Sequence, residues 1–256
     1  TTSDYYITLA DAYLGLGKLQ PSLQNLFRAI ELDAGNVKAL VKLAEIQIIF
    51  RDYKKAVEYI DKVMKLDELE PKAYFLRGVV LLENADTVKA ILNFQKAVDV
   101  NQDYFEAHLQ LGMLYAGKKN KLAVDYFNNA LNIQPGNLDV AYYLALFYQE
   151  TGNYEQAIKM YEELLVKEPS YYYALYNIGY INLVYLNDYP KAVEYFTKVI
   201  ELKPEFTDAW YNRGFAWEML KNVENSRNDY LKALELTPNY QKAVDGMNRI
   251  EEYLTN

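Results

Sequence analysis

The 256-residue chain has no cysteine, so it can build neither a disulfide framework nor a thiolate metal site. It has a single histidine, His108. One imidazole without thiolates does not make the usual zinc coordination sphere. No apolar run approaches the roughly 18 residues that a membrane-crossing helix needs, and no secretory leader pattern is visible. Residues 1–3 are Thr1-Thr2-Ser3, with no methionine, so a removed leader or lipid anchor stays open. The expectation is a soluble domain, cytoplasmic by default. Cationic character is also scarce, with 27 Lys and Arg against 35 Asp and Glu and a net charge of −8. That balance disfavours a nucleic-acid partner, because nothing supplies a broad basic stripe.

Motifs for small-molecule chemistry are missing too. There is no Gly-x-x-x-x-Gly-Lys-Ser/Thr loop for phosphates and no alternating Asp/Asn loop for calcium. Gly15-Leu16-Gly17 is too short for such a loop and belongs in a turn between helices. Paired acids such as Glu162-Glu163 and Glu251-Glu252 fall on exposed helix faces, and a general acid needs surroundings that raise its pKa. No catalytic residue, metal or cofactor is therefore expected, and the chain reads as non-enzymatic.

What is present is repetition. From Ala209 to Tyr240 runs Ala-Trp-Tyr-Asn-Arg-Gly…Trp…Ala-Leu-Glu-Leu-Thr-Pro-Asn-Tyr, with weaker copies before it at a period close to 34 residues. A fixed period of that length marks a stacked-repeat architecture. Seven units are delimited: 3–36, 37–70, 71–104, 105–137, 138–171, 172–206 and 207–240, with a last helix over 241–254. The fourth is one residue short and the sixth one residue long. Both irregularities are placed between the two helices of the unit, at Gly117-Lys118-Lys119-Asn120 and at Leu186-Asn187-Asp188-Tyr189-Pro190, where loops tolerate change.

Each unit shows two apolar stripes at helical spacing, for example Leu144 and Tyr148, then Ala157, Tyr161 and Leu164. Gly152 suits the left-handed residue that ends a helix. Pro135, Pro169, Pro204 and Pro238 stop four second helices, while Pro190 fits a helix start. Gly78, Gly112, Gly179 and Gly214 share one place on the first helix with Ala10, Ala44 and Ala145. Ala56, Ala90, Ala123, Ala157 and Ala192 hold the counterpart on the second. Glycine within a helix costs about 1 kcal/mol relative to alanine, so its recurrence marks close helix approach, with Phe94, Phe127, Tyr161, Phe196 and Tyr230 filling the remaining space. In the last helix Ala243, Val244, Met247, Ile250 and Leu254 form an apolar face opposite Lys242, Asp245, Arg249 and Glu252, as a terminal cap requires.

These residues resemble the tetratricopeptide repeat family over essentially the whole chain. Trp210, Gly214, Trp217, Ala233 and Pro238 follow its pattern most fully. The first two units depart most, with Ser22, Ala34, Gln47 and Glu68 at places where the family usually has other residues. The resemblance implies an all-α fold: an α-solenoid of about seven antiparallel helix pairs plus a C-terminal capping helix, wound as a right-handed superhelix. First helices would line a concave groove.

On that register the groove walls include Ile7, Val41, Phe75, Val79, Leu109, Met113, Tyr142, Leu146, Tyr173, Tyr176, Tyr180, Tyr211 and Phe215. Asp11, Glu45, Glu83, Gln149, Glu150 and Glu218 flank them. Tyrosine suits binding surfaces because it offers large rigid area with a polar tip. The expected function is a protein-interaction scaffold that takes a peptide or helical segment; the alternative is a structural or self-associating array. Family members that clamp the acidic tails of heat-shock chaperones use groove Lys and Asn. The matching places here hold Ile7, Asp11, Val41, Glu45, Tyr176 and Tyr180, and Lys38, Lys42 and Lys72 lack the accompanying pattern. A carboxylate clamp is therefore not expected. Nor is base-by-base RNA reading, whose repeat is longer and whose arrays are basic. His108 falls at a repeat-interface place shared with Tyr74, Leu175 and Trp210 and is read as a packed, hydrogen-bonded residue.

Overall fold

In the computed structural model, the backbone is described for residues 2–255 and side chains for residues 2–251. Leu254 and Glu252, expected on the two faces of the last helix, lie outside the described side chains. The fold is all-α, and no strand occurs among the described residues. The chain divides into two compact units, Thr1–Pro135 and Gly136–Asn256.

The first unit holds four helix pairs: α1 (Thr2–Gly15) with α2 (Leu19–Leu32), α3 (Val37–Ile49) with α4 (Tyr53–Leu66), α5 (Pro71–Glu83) with α6 (Thr87–Val100), and α7 (Phe105–Ala116) with α8 (Leu122–Ile133). The second holds α9 (Leu138–Glu150) with α10 (Tyr154–Lys167), α11 (Tyr172–Ile181) with α12 (Tyr189–Leu202), α13 (Thr207–Met219) with α14 (Val223–Leu236), and the final α15 (Gln241–Thr255). Within each unit, every helix packs on the one that follows it. The core is a row of nearest-neighbour clusters, as a one-dimensional repeat array requires.

The packing follows the small residues. A Cβ placed on Gly78 would stand 2.5 Å from the Phe94 ring, and one on Gly112 would stand 2.6 Å from Phe127. On Gly179 it would meet Phe196 at 3.0 Å, and on Gly214 it would meet Tyr230 at 2.9 Å. Ala56, Ala90, Ala123, Ala157 and Ala192 are completely buried. The first helix therefore gives up its side chain where the second delivers an aromatic ring. Gly246 in α15 repeats the device, with its absent Cβ 2.6 Å from the other edge of Tyr230. Ala243 and Ile250 bury the apolar face of that cap, and Val244 and Met247 are half-buried.

Every turn from a first to a second helix contains one left-handed residue, with φ between 50° and 81°: Gly17, Arg51, Ala85, Lys119, Gly152, Asn187 and Lys221. Only two of the seven are glycine. In six turns the next N–H closes on the carbonyl five residues back at 2.8–2.9 Å, as in Asp52 to Gln47 and Asn222 to Trp217. Pro135, Pro169, Pro204 and Pro238 each stand one residue past the C-cap of a second helix, and Pro190 lies in the first turn of α12.

The two irregular units are absorbed by helix geometry. In the sixth, the additional residue is not taken up in the loop at Leu186–Pro190. It is wound into a π-helical turn, Asn182–Leu186, at the end of α11. The closing bond consequently spans six residues, from Asp188 N–H to the Asn182 carbonyl at 2.9 Å. Asn182 steadies this wider turn by donating its side-chain amide to the Ile178 carbonyl at 2.8 Å. In the fourth unit the missing residue is removed from the start of α8. Ala123 N–H bonds the carbonyl three residues back, at Asn120, whereas the matching Ala56 bonds the carbonyl four back, at Asp52.

Candidate partner-binding face

Residues two, five and nine of a helix lie on one side of it, separated by about one and two turns. In the second unit these places hold Asp139, Tyr142 and Leu146 on α9, Tyr173, Tyr176 and Tyr180 on α11, and Asp208, Tyr211 and Phe215 on α13. The structure brings them together through specific contacts. The Asn177 amide of α11 donates to the Tyr142 hydroxyl at 3.1 Å, and the Asn212 amide of α13 donates to the Tyr176 hydroxyl at 2.9 Å. Tyr176 and Tyr180 stack at 6.4 Å, as do Tyr211 and Phe215. Tyr173 adjoins Tyr172 at 4.2 Å and Tyr142 at 6.4 Å.

These rings are not equally available. Tyr173 is 48 % exposed, whereas Tyr142, Leu146, Tyr176, Tyr180, Tyr211 and Phe215 are half-buried. The fifth-place rings are wedged into the repeat itself. Tyr142 contacts Tyr161 of its partner helix and Tyr171, the residue that leads into the next pair. Tyr176 does the same with Phe196 and Phe206, and Tyr211 with Tyr230 and Tyr240. Burial accordingly raises the pKa of Tyr142, Tyr176 and Tyr211.

In the first unit the same triad recurs as Phe75, Phe94 and Tyr104. Val79 and Leu109 are half-buried and Met113 is 41 % exposed. Ile7 and Val41, read as groove walls, are buried. The cleft at this end is lined by Asp4, Asp11, Lys38, Lys42, Glu45 and Lys72 among others. Four of these charges are paired with one another: Lys42 with Asp11 at 2.6 Å, and Lys72 with Glu45 at 2.5 Å.

Two residues read as flanking the groove turn inward instead. Gln149 accepts from the Tyr161 hydroxyl at 3.0 Å. Glu218 is buried, accepts from Tyr230, and takes the Arg249 guanidinium at 2.8 and 2.9 Å. The signal was the residue on the second helix. Where that place holds Tyr161 or Tyr230, the twelfth residue of the first helix is Gln149 or Glu218. Where it holds Phe94 or Phe127, the twelfth residue is Leu82 or Ala116, and where it holds Phe196 the same count runs into the π turn and reaches Leu183. A buried hydroxyl needs a partner and a phenyl ring does not.

His108 is buried, and its Nε2 faces the Gln102 carbonyl at 2.8 Å. The same carbonyl place, six residues back, accepts from the Tyr74 hydroxyl at 3.1 Å and the Trp210 indole at 2.8 Å. The histidine thus takes the same place at a repeat junction as the donors Tyr74 and Trp210. Glu162 and Glu163 are exposed. Among the described residues no group of three or more His, Cys, Asp or Glu could hold a metal ion, and no helix is long and apolar enough to cross a membrane.

Models of the tetratricopeptide repeat match residues 37–68, 114–177 and 181–241, together more than half of the chain. The chain belongs to that family, whose arrays are protein-interaction scaffolds. It is 24 % identical to the Hsp70-Hsp90 organizing protein of Triticum aestivum, over 92 % of this chain and 41 % of that protein. It is 22 % identical to the human protein O-mannosyl-transferase TMTC3, over 98 % of this chain and 28 % of that protein. The chain thus spans less than half the length of these curated relatives. The C-terminal part of a TPR repeat-containing protein from Cytophaga hutchinsonii shares the fold with a TM-score of 0.79, at 18 % identity, covering 93 % of this chain and 97 % of that one.

Proposed function

We propose that the chain is a non-enzymatic scaffold that receives a segment of another protein on the face formed by α9, α11 and α13. The observation that carries this reading is Tyr173. It is a large ring left 48 % exposed within a continuous row of half-buried tyrosines. Such rings combine apolar area with a hydroxyl that fixes register, and they lose little side-chain entropy on binding. Phe75, Val79, Leu109 and Met113 offer a similar but more aliphatic face within the first unit.

Tyr173 and Tyr180 are the residues to change, because Tyr176 also closes the junction with Phe206. Tyr173→Ala with Tyr180→Ala is expected to weaken a bound peptide by about 2 kcal/mol or more, with helicity retained. Calorimetric titration reads this directly, and unchanged affinity would remove both residues from the site. Sedimentation over a range of concentrations separates this reading from a self-associating array, which would gain mass as concentration rises.

A further inference from the structure

The charge of the chain is unevenly placed. Of the net −8, residues 136–256 carry −7, from 18 acids against 11 bases. On the first helices of this unit the acids lie on α9 and α13, while α11 and its π turn contain no charged residue. Neither α9 nor α11 contains a Lys or Arg, and neither does the π turn that extends α11. The one base of α13, Arg213, is consumed inside the fold. It holds the buried Asp229 through two bonds at 2.8 and 2.7 Å. Asp139 and Glu150 therefore stand exposed on a tyrosine-lined face with no facing cation from α9, α11 or α13, and the half-buried Asp208 beside them accepts from the Tyr240 hydroxyl.

The chain also shows what this surface does when a base reaches it. In α15, Lys242 and Arg249 occupy the second and ninth places. The Lys242 ammonium lies 5.9 Å from the ring centres of both Tyr211 and Tyr240. Arg249 lies 5.6 Å from the Phe215 ring while its guanidinium grips Glu218. The recognition elements are an aromatic face and a carboxylate, the pair that suits a cation taken partly out of water. Tyr142, Tyr173, Tyr176 and Tyr180 repeat the aromatic half of that arrangement on α9 and α11, and Asp139, Glu150 and Asp208 supply the charge.

We infer that this face selects a basic segment of a partner protein, one that places Lys or Arg side chains against Tyr142, Tyr173 and Tyr180 and toward Asp139, Glu150 and Asp208. The inference rests on the scaffold reading above and names the chemistry of its partner. Selectivity comes from complementary charge, which also repels acidic segments and makes binding weaken as salt rises.

The test uses the full chain as bait for an unbiased display library of short random peptides, followed by polarisation titration of the enriched peptides. Enriched sequences are expected to carry an excess of Lys and Arg. Their affinity should fall about tenfold when salt is raised from about 0.05 to about 0.3 M. It should fall severalfold for Asp139→Asn with Glu150→Gln, two exposed acids whose change leaves the core intact, and also for Tyr173→Ala. Peptides that lose affinity on Tyr173→Ala yet show no basic excess would overturn the charge selection and leave the groove standing. Peptides indifferent to Tyr173→Ala, or the absence of any enriched peptide, would overturn both.

Discussion

The Tyr161 hydroxyl donates to Gln149 Oε1 at 3.0 Å and accepts from the Asn177 amide at 2.9 Å, so three successive helices, α9, α10 and α11, are tied through one buried oxygen. The side chain of Tyr161 is wholly buried, and an unsatisfied group there costs about 1–3 kcal/mol.

Gln149→Leu alone should therefore destabilise the chain by about 1–3 kcal/mol. Adding Tyr161→Phe to it should restore much of the loss, because the pair then matches the Phe196 and Leu183 arrangement already present. Asn177 keeps the Tyr142 hydroxyl as its acceptor. Urea unfolding of both single variants and the double variant gives the coupling. Additive losses would show that the hydroxyl is satisfied in some other way.

The left-handed turn residues make a second prediction. Ala85 has φ 60°, a conformation that costs an L-residue about 1–2 kcal/mol. Glycine removes that strain, although it adds unfolded-state entropy worth about 0.4–1 kcal/mol. Ala85→Gly should therefore raise stability by up to about 1 kcal/mol. Arg51→Gly and Lys221→Gly should do the same. A lower melting temperature for all three would contradict the turn geometry.

Glycine and alanine should behave oppositely inside the first helices. A helical Gly→Ala change gains about 1 kcal/mol of propensity, while forced overpacking costs about 1–3 kcal/mol. At Gly78, where the new Cβ would fall 2.5 Å from Phe94, overpacking should win. At Gly179, where the distance is 3.0 Å, Gly179→Ala should lie nearer neutral, and Gly179→Leu should destabilise strongly. Melting temperatures within a degree or so of the parent for Gly78→Ala and Gly179→Leu would refute the proposed helix approach.

Alkaline pH should unfold the chain cooperatively. Burial raises the pKa of Tyr104, Tyr142, Tyr161, Tyr176, Tyr211 and Tyr230 above the ordinary value near 10. Above that value the unfolded chain releases phenolic protons that the native chain retains, so the native state binds more protons and stability falls as pH rises. The stabilisation is complete below about pH 10 and is lost as pH climbs toward the raised values. The last part of the phenolate absorbance, from these six rings, should therefore appear together with the loss of helicity. Complete ionisation of the tyrosines near pH 10 with helicity unchanged would show that these six rings are accessible to solvent.

The period, the glycine and alanine contacts and the proline stops were legible because each is a steric rule expressed by one residue type at one place. The turns were only half legible. Gly152 announces a left-handed residue, but Arg51, Ala85 and Lys221 do not, since closing hydrogen bonds from the backbone impose the same conformation on any side chain. The candidate face was legible as a list of first-helix residues and not as degrees of exposure. Tyr176 and Tyr173 are three residues apart, yet one is held by Asn212 and Phe206 while the other touches Tyr172 and Tyr142 and is left 48 % exposed. That difference depends on aromatics delivered by the next pair, such as Phe206, some thirty residues on.

Those leading aromatics bear on how the protein is made. Tyr104, Tyr171, Phe206 and Tyr240 each complete the ring cluster of the pair behind them. During synthesis a helix pair emerging from the ribosome thus lacks its last ring until the first residues of its successor have followed it out. The ring cluster of each such pair is therefore complete only once the first residues of its successor are present. A shortened chain ending at 239 would leave Tyr211 with Tyr230 but without the edge contact of Tyr240, whereas one ending just past Tyr240 would keep both rings in sequence.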